Sequence, residues 1–296
     1  MSIVVGFGPD VRSTAGLRLA GQLARSTGLP LVLCCVVHDA FDAPGLRDAH
    51  HVDAEWRAHL QSSAKEAIAA AREVLPAEVT AETVVRTGRS VPQVLRDEGA
   101  RRHAELLVAG SATVGGVGRI SLGSTTDRLV HSSAVPVALA PRGYQDDGDV
   151  RRVVLAVEPT RGDVALADQV AAFAGHLGVE VEIVTFLVRQ RSANAAFVSS
   201  GVVRAWREEV AQAHREIADR LRARDVTVAG TRIAEAESWS DTVRVPEWQQ
   251  GDLLVIGSSQ HGPMASVFLG STAARILRHS PVPVIVLPRL RGRADQ

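Results

Sequence analysis

The sequence predicts an α/β protein made of two tandem copies of one unit, each an open parallel sheet covered by helices. Three observations carry this. First, Glu105–Arg142 aligns without a gap on Asp252–Arg289 at a constant offset of 147 residues. Leu106, Gly110, Ser111, Leu122, Gly123, Ser124, Thr125, Arg128, Val135, Pro136, Pro141 and Arg142 all meet identical residues in the second copy. So many matches in register mark an internal duplication, and a repeat decides the fold before any single element does. Second, short apolar runs alternate with longer amphipathic segments, the rhythm of repeated βα units with right-handed crossovers. Third, those runs are near-continuously apolar, as strands of a parallel sheet covered on both faces must be.

In the first copy, Ile3–Phe7, Leu31–Val37, Val79–Val85, Leu106–Ala109 and Val135–Ala140 read as strands. Ser13–Arg25, Val52–Val74 and Val91–Arg101 read as the helices between them. The second copy opens on Val153-Val154-Leu155, which matches Ile3-Val4-Val5 at an offset of 150. Its long helix, Val203–Arg224, carries Trp206, Val210, Ala213, Ile217 and Leu221 at helical spacing. The polar, acidic stretch Gly143–Val150 suits an exposed linker, so the expected division is 1–142, linker 143–150 and 151–296.

Composition narrows the function. The chain has 296 residues, with 33 Lys+Arg against 33 Asp+Glu, hence no formal net charge. A neutral balance speaks against nucleic acid or an anionic membrane as partner, since both reward a basic face. The longest unbroken apolar run, Leu31–Val37, is far short of the ~20 residues that span a bilayer. The start, MSIVVGFGPD, runs directly into a strand pattern without the features of a signal peptide, and a cytoplasmic location is expected. Adjacent Cys34 and Cys35, the only cysteines, read as buried thiols of a reducing compartment.

Ligands of open α/β sheets bind at the carboxyl ends of strands where strand order reverses. After the fourth strand of each copy comes Gly-Ser, a small or polar loop, then a Gly-Ser-Thr that opens a helix. Glycine permits close backbone approach, and the N–H groups at Ser124-Thr125 and Ser271-Thr272 suit a phosphate. The competing reading is that both turns only join strand to helix, with Ser124 and Ser271 as N-caps.

The spacing Gly-x2-Gly-x9-Gly-Ser, an arginine-bearing helix and a Pro-Val strand together resemble the nucleotide signature of the universal stress protein family, in its tandem form. The resemblance covers nearly the whole chain. It implies two Rossmann-like (adenine nucleotide alpha hydrolase-like) domains, each of five parallel strands in order 3-2-1-4-5. It also implies binding of ATP or AMP, with Mg2+ in some members, and a regulatory role in the stress response. Carried over by position, Gly110, Gly123, Ser124 and Thr125 fit the first copy, with Thr113 where the family has its middle glycine. Gly257, Gly270, Ser271 and Thr272 fit the second, with Gln260 in that middle place and Gly262 just beyond. The family's aspartate after strand one falls on Gly8 and Glu158, and its adenine-contacting position near Val36 and Phe186. A non-glycine residue forced into left-handed φ costs about 1–2 kcal/mol. Loss of an acceptor at Gly8 costs a further ~1–3 kcal/mol. Together about 3 kcal/mol weakens binding roughly 100-fold. The second copy, which keeps an acid, ranks above the first. Gly115, Gly116 and Gly118 offer the first loop a flexible point downstream.

The alternative is an interaction module of the same fold whose clamp has decayed at Thr113, Gln260 and Gly8. An enzyme, in the form of slow ATP hydrolysis, would lack a Walker lysine, and the sequence has no GxSxG elbow. The cluster His38, Asp48, His50, His51, Asp53 and His59 has no metal-ligand spacing, and reads as a solvated helix start. His261 lies in the second phosphate loop, either on a ligand or on the surface. Asp241 and Glu247 read as a solvated helical face, and the four tryptophans as packing. Pro136, Pro141, Pro283 and Pro288 border strands that belong at a sheet edge. Apolar edges pair readily, so the halves are expected to form an intramolecular pseudo-dimer, and two chains a homodimer.

Overall fold

Alternation of apolar runs with amphipathic segments resolves, in the computed structural model, into ten strands and eight helices among the described residues. These are 1–9, 14–38, 50–112, 116–146, 148–158, 164–189, 200–258 and 269–288. They divide into two units, Met1–Asp149 and Val150–Gln296.

The first unit contains β1 (Ser2–Phe7), α1 (Ala15–Thr27), β2 (Leu31–His38), α2 (His50–Val74), β3 (Ala81–Gly88), α3 (Val91–Arg101), β4 (Ala104–Gly110), α4 (Ser124–Ser132) and β5 (Val137–Ala140). All its pairings are parallel, and β1 lies between β2 and β4, giving the order 3-2-1-4-5. The central strands are apolar throughout because both faces are covered: Ile3, Val5, Leu33 and Leu107 are each at most 2% exposed. α1 packs with α2 and α3 with α4, while both α1 and α3 touch β1 and β4, as helices on opposite faces must. Two glycines set how closely the helices approach. A Cβ on Gly16 of α1 would stand 2.7 Å from the Gly110 backbone nitrogen, and one on Gly6 would stand 2.5 Å from Leu95 of α3. Gly28, at φ +68°, ends α1 in the left-handed conformation.

The second unit repeats the plan with β6 (Arg152–Ala156), α5 (Val164–Leu177), β7 (Glu180–Val188), α6 (Ser200–Arg222), β8 (Val228–Ala236), α7 (Trp239–Thr242), β9 (Asp252–Gly257), α8 (Ser271–His279) and β10 (Val284–Leu287). Here β6 lies between β7 and β9, and the parallel order is again 3-2-1-4-5 when strands are counted within the unit.

Several expectations are corrected. The third strand runs Ala81–Gly88 rather than Val79–Val85, because pairing with β2 from Leu31↔Ala81 to His38↔Gly88 recruits polar residues that hydropathy passes over. The stretch after β5 is not a free linker. Asp146 and Val150 are buried, and buried Gln22 of α1 holds both Gly148 O (3.0 Å) and the Tyr144 hydroxyl (2.6 Å). Arg25 adds an ion pair to Asp149 at 2.7 Å. Asp241 lies on α7, capped by Ser238, but Glu247 sits in a turn at φ +52° rather than on that helix.

Cys34 and Cys35 are fully buried in β2. Burial pushes their thiols up to about 12 and about 11, far from thiolate chemistry. Fully buried Glu98 of α3 accepts from Arg86 (2.8 Å), Arg101 (2.5 Å) and Arg102 (3.0 Å). Burial alone would raise its carboxyl, but hydrogen bonds from Arg86 and Arg102 bring it below the ordinary glutamate value.

Candidate functional site

In each unit the strand order reverses between the first and fourth strands, so a crevice opens beyond their carboxyl ends. Register fixes which residues share it. Val5 pairs with Val108 and Phe7 with Cys35, so Gly8, Val36 and Gly110 stand at the ends of three adjacent strands. In the second unit Ala156 pairs with Ile256 and Val184, which places Glu158, Phe186 and Gly257 in the same relation. Glu158 is exposed and Gly8 half-buried. Val36 and Phe186, at 3% and 7% exposure, keep their side chains in the core.

The first unit's loop is tied at its neck. Ser111 N donates to Ala140 O at 3.1 Å, carrying the β4–β5 ladder one residue further. The Ser111 hydroxyl then accepts from Ser121 N (2.7 Å) and donates to Ser121 O (3.2 Å). Ala112 N reaches the same carbonyl at 2.8 Å. The loop thus leaves and returns at one point, directly before α4. Gly123 fits there because a Cβ would lie 3.3 Å from the Ala112 methyl. Among the described residues of the loop, the downstream Gly118 takes the left-handed conformation at φ +75°. Thr113 and Gly115 lie outside the described residues, as do Gln260, His261 and Gly262 of the second loop.

Both helices after these loops begin without a side-chain cap. Gly123 and Gly270 occupy the N-cap positions, so Ser124 and Ser271 are first helical residues, not caps. The first helical bonds are Asp127 N to Gly123 O (2.8 Å) and Ala274 N to Gly270 O (2.9 Å). The N–H groups of Ser124, Thr125 and Thr126, and of Ser271, Thr272 and Ala273, have no acceptor within their own helix and lie at the positive end of its dipole. Charge separates the two. α4 carries Asp127 in its first turn, whereas the first turn of α8 has no acid. The α8 start thus lacks the repulsion that a first-turn carboxylate would offer an anion.

The units also differ beneath the crevice. In the second, buried Thr185 and His214 form a hydrogen-bonded pair at 2.9 Å, and Thr185 donates to Val157 O at 3.0 Å. Burial lowers the His214 imidazole below its ordinary value and keeps it neutral. In the first unit an apolar cluster occupies this level: Cys35, Val37, Ala64 and Ala67, with Phe7, Leu60 and Ile68 against it. Sequence reasoning missed Thr185 and His214, which are 29 residues apart and belong to no motif. It counted Ser111 only as a repeat match, although its recurrence as Ser258 was a signal. Ser258 is likewise buried, with its N–H on Leu287 O at 3.0 Å. Of the other candidate cluster, Asp48 lies outside the described residues, the structure describes only the backbone of His38, His50, His51 and Asp53, and His59 is exposed.

What the crevice offers is main-chain N–H groups, hydroxyls and, in one unit, a carboxylate. That set is chemically suited to an anion and a polar ligand. The universal stress protein family model matches residues 1–141 and again 149–288. A universal stress protein of Mycobacterium tuberculosis is 35% identical over 299 residues, covering 97% of this chain and all of that protein. One from Mycolicibacterium smegmatis is 25% identical over 301 residues, with 96% of each covered. Among solved structures, a universal stress protein from Archaeoglobus fulgidus superposes with a TM-score of 0.63 at 18% identity, covering 97% of this chain and 98% of its own. With the family matched twice and a full-length relative at this identity, the chain belongs to the universal stress protein family.

Proposed function

We propose that the chain binds adenine nucleotide, ATP foremost and AMP as the alternative, and acts as a regulatory protein of the stress response rather than through turnover. The observation that carries this is the uncapped Gly-Ser-Thr helix start, built twice at the carboxyl end of the fourth strand. Phosphates would lie against Ser271, Thr272 and their main-chain N–H groups, with Gly257 and Gly270 allowing close approach. Ser124, Thr125, Gly110 and Gly123 would do the same in the first unit. Glu158, exposed at the end of β6, can face Mg2+ or the ribose. Gly8 supplies no carboxylate, so the first unit does not fit a metal in this place. The second unit is therefore read as the tighter site. Among the described residues no helix is long and apolar enough to cross a membrane, in keeping with a cytoplasmic role. Pairing of the halves through the Pro-Val strands, and of chains into a homodimer, belongs to the same reading. Light scattering on eluted protein would show the chain's stoichiometry.

Titration of the whole chain with ATP and with AMP, each with and without Mg2+, tests the main reading by calorimetry. Saturable binding below millimolar concentration supports it. Flat heats with both nucleotides at millimolar concentration overturn it in favour of an interaction module of the same fold.

A further inference from the structure

The offset of 150 that superposes the first strands of the two units also aligns Phe7 with Val157, Cys35 with Thr185 and Ala64 with His214. In the first unit those three belong to one apolar cluster. In the second they form a hydrogen-bonded chain from α6 through β7 to the backbone of the segment after β6. The replacement is not a loose surface contact, since Thr185 is 2% and His214 4% exposed.

Hydrogen-bond capacity fixes its direction. A carbonyl oxygen only accepts, so the single Thr185 proton goes to Val157 O at 3.0 Å. Thr185 must then accept from His214, which makes Nε2 the protonated ring nitrogen at 2.9 Å. Val157 N is meanwhile held by Val184 O at 2.9 Å. Both backbone polar groups of Val157 are thus fixed, one residue before Glu158. The unit that keeps an acid after its first strand also carries this latch. The unit with Gly8 in that place has Cys35 and Ala64 where the latch would be.

From this pattern we infer that Thr185 and His214 are positioning residues of the second unit's site, holding the Val157 carbonyl so that Glu158 leaves β6 in a fixed direction toward the ligand. The inference rests on the reading of that crevice as a nucleotide site and assigns the two units different competence within it. Neither residue touches the ligand.

Thr185→Val removes the hydroxyl at nearly constant shape and leaves the His214 N–H unpaired, so it also costs stability. The decisive variant is Thr185→Val with His214→Leu, which makes this level apolar as in the first unit, removes the hydroxyl and the imidazole together, and leaves only the Val157 carbonyl without its side-chain donor. Hydrogen–deuterium exchange of the whole chain, with ATP-Mg as probe, reads each unit separately through its own peptides. We expect the double variant to melt above Thr185→Val alone and below wild type, with faster exchange at Val157 and Glu158, and about tenfold weaker ATP-induced protection at the start of α8, the equivalent of one hydrogen bond. Thr185→Ser, which keeps the hydroxyl, should restore both. Wild-type exchange and wild-type ATP response in the double variant would overturn the inference and reduce the pair to core packing. If the wild-type chain shows no ATP response, the nucleotide reading fails. Exchange at Val157 and Glu158 then still decides whether the latch holds this segment.

Discussion

At Gly16 a single hydrogen atom decides how near α1 can lie to β4. A methyl group in its place would stand 2.7 Å from the Gly110 nitrogen, and backbone cannot swing aside as a side chain can. Gly16→Ala should therefore destabilise the first unit by about 1–3 kcal/mol, read from the shift in its urea midpoint. The aligned residue of α5, Leu166, instead rests against Gly257, where a Cβ would meet a flexible side chain at 3.0 Å. Glu98 acts through charge. Its carboxyl is held below the ordinary glutamate value of 4.5, so its contribution is complete above that pH and is lost as the pH falls through the lowered folded value. Glu98→Gln should cost about 3 kcal/mol near neutrality, the low end for a broken buried pair because its arginines stay partly in water. The gap between wild type and variant should close in denaturation curves taken progressively below pH 4.5. A gap that persists unchanged into acid would show that the arginine contacts do not depend on the charge.

Helix starts are the elements on which the proposed binding turns. Because main-chain N–H groups cannot be deleted, the useful change adds repulsion: Ser271→Asp places a carboxylate at the first helical residue of α8. It would favour the helix dipole, so the fold should hold or gain slightly, while ATP affinity at the second unit falls at least tenfold or about 1.4 kcal/mol. Stability and affinity moving in opposite directions would distinguish an anion site from a mere connection. The elements themselves were largely legible in the sequence. Val91–Arg101 has the predicted ends, since Pro92 in its first turn and the apolar positions leave little choice. β3 was misplaced because Arg86, Thr87 and Gly88 are strand only through their partner β2. The candidate site divided in the same way. Gly123-Ser124 and Gly270-Ser271 announced themselves by repetition. Thr185 and His214 did not, because their meaning lies in a contact between elements that no local pattern encodes.

For the chain as a whole, duplication without identity is the governing fact. Both units share strand order and helix starts, yet they differ in the acid after the first strand, in the charge at the helix after the fourth strand and in the layer beneath. Ligand linkage turns those differences into a measurement. ATP at 100 times its Kd should add about 2.7 kcal/mol to the unit that binds it and nothing to a unit that does not. Calorimetric scans with and without ATP-Mg should therefore raise the second unit's transition first, with the first unit's following only at higher concentration. The stretch after β5 was hidden from sequence reasoning for a similar reason. Its polarity suggested solvent, but Gln22 more than 120 residues earlier supplies the buried partners that its backbone and Tyr144 require. Polar residues follow available hydrogen bonds as readily as they follow water.

Both sulfhydryls of this chain sit in the middle of β2, sealed away and protonated. Aromatic disulfide reagents can modify them only during excursions in which that strand is exposed, and the other half contributes no signal at all. Nature has left a one-sided clock in the molecule: the rate at which colour develops counts openings of the N-terminal half alone, without any label having to be engineered.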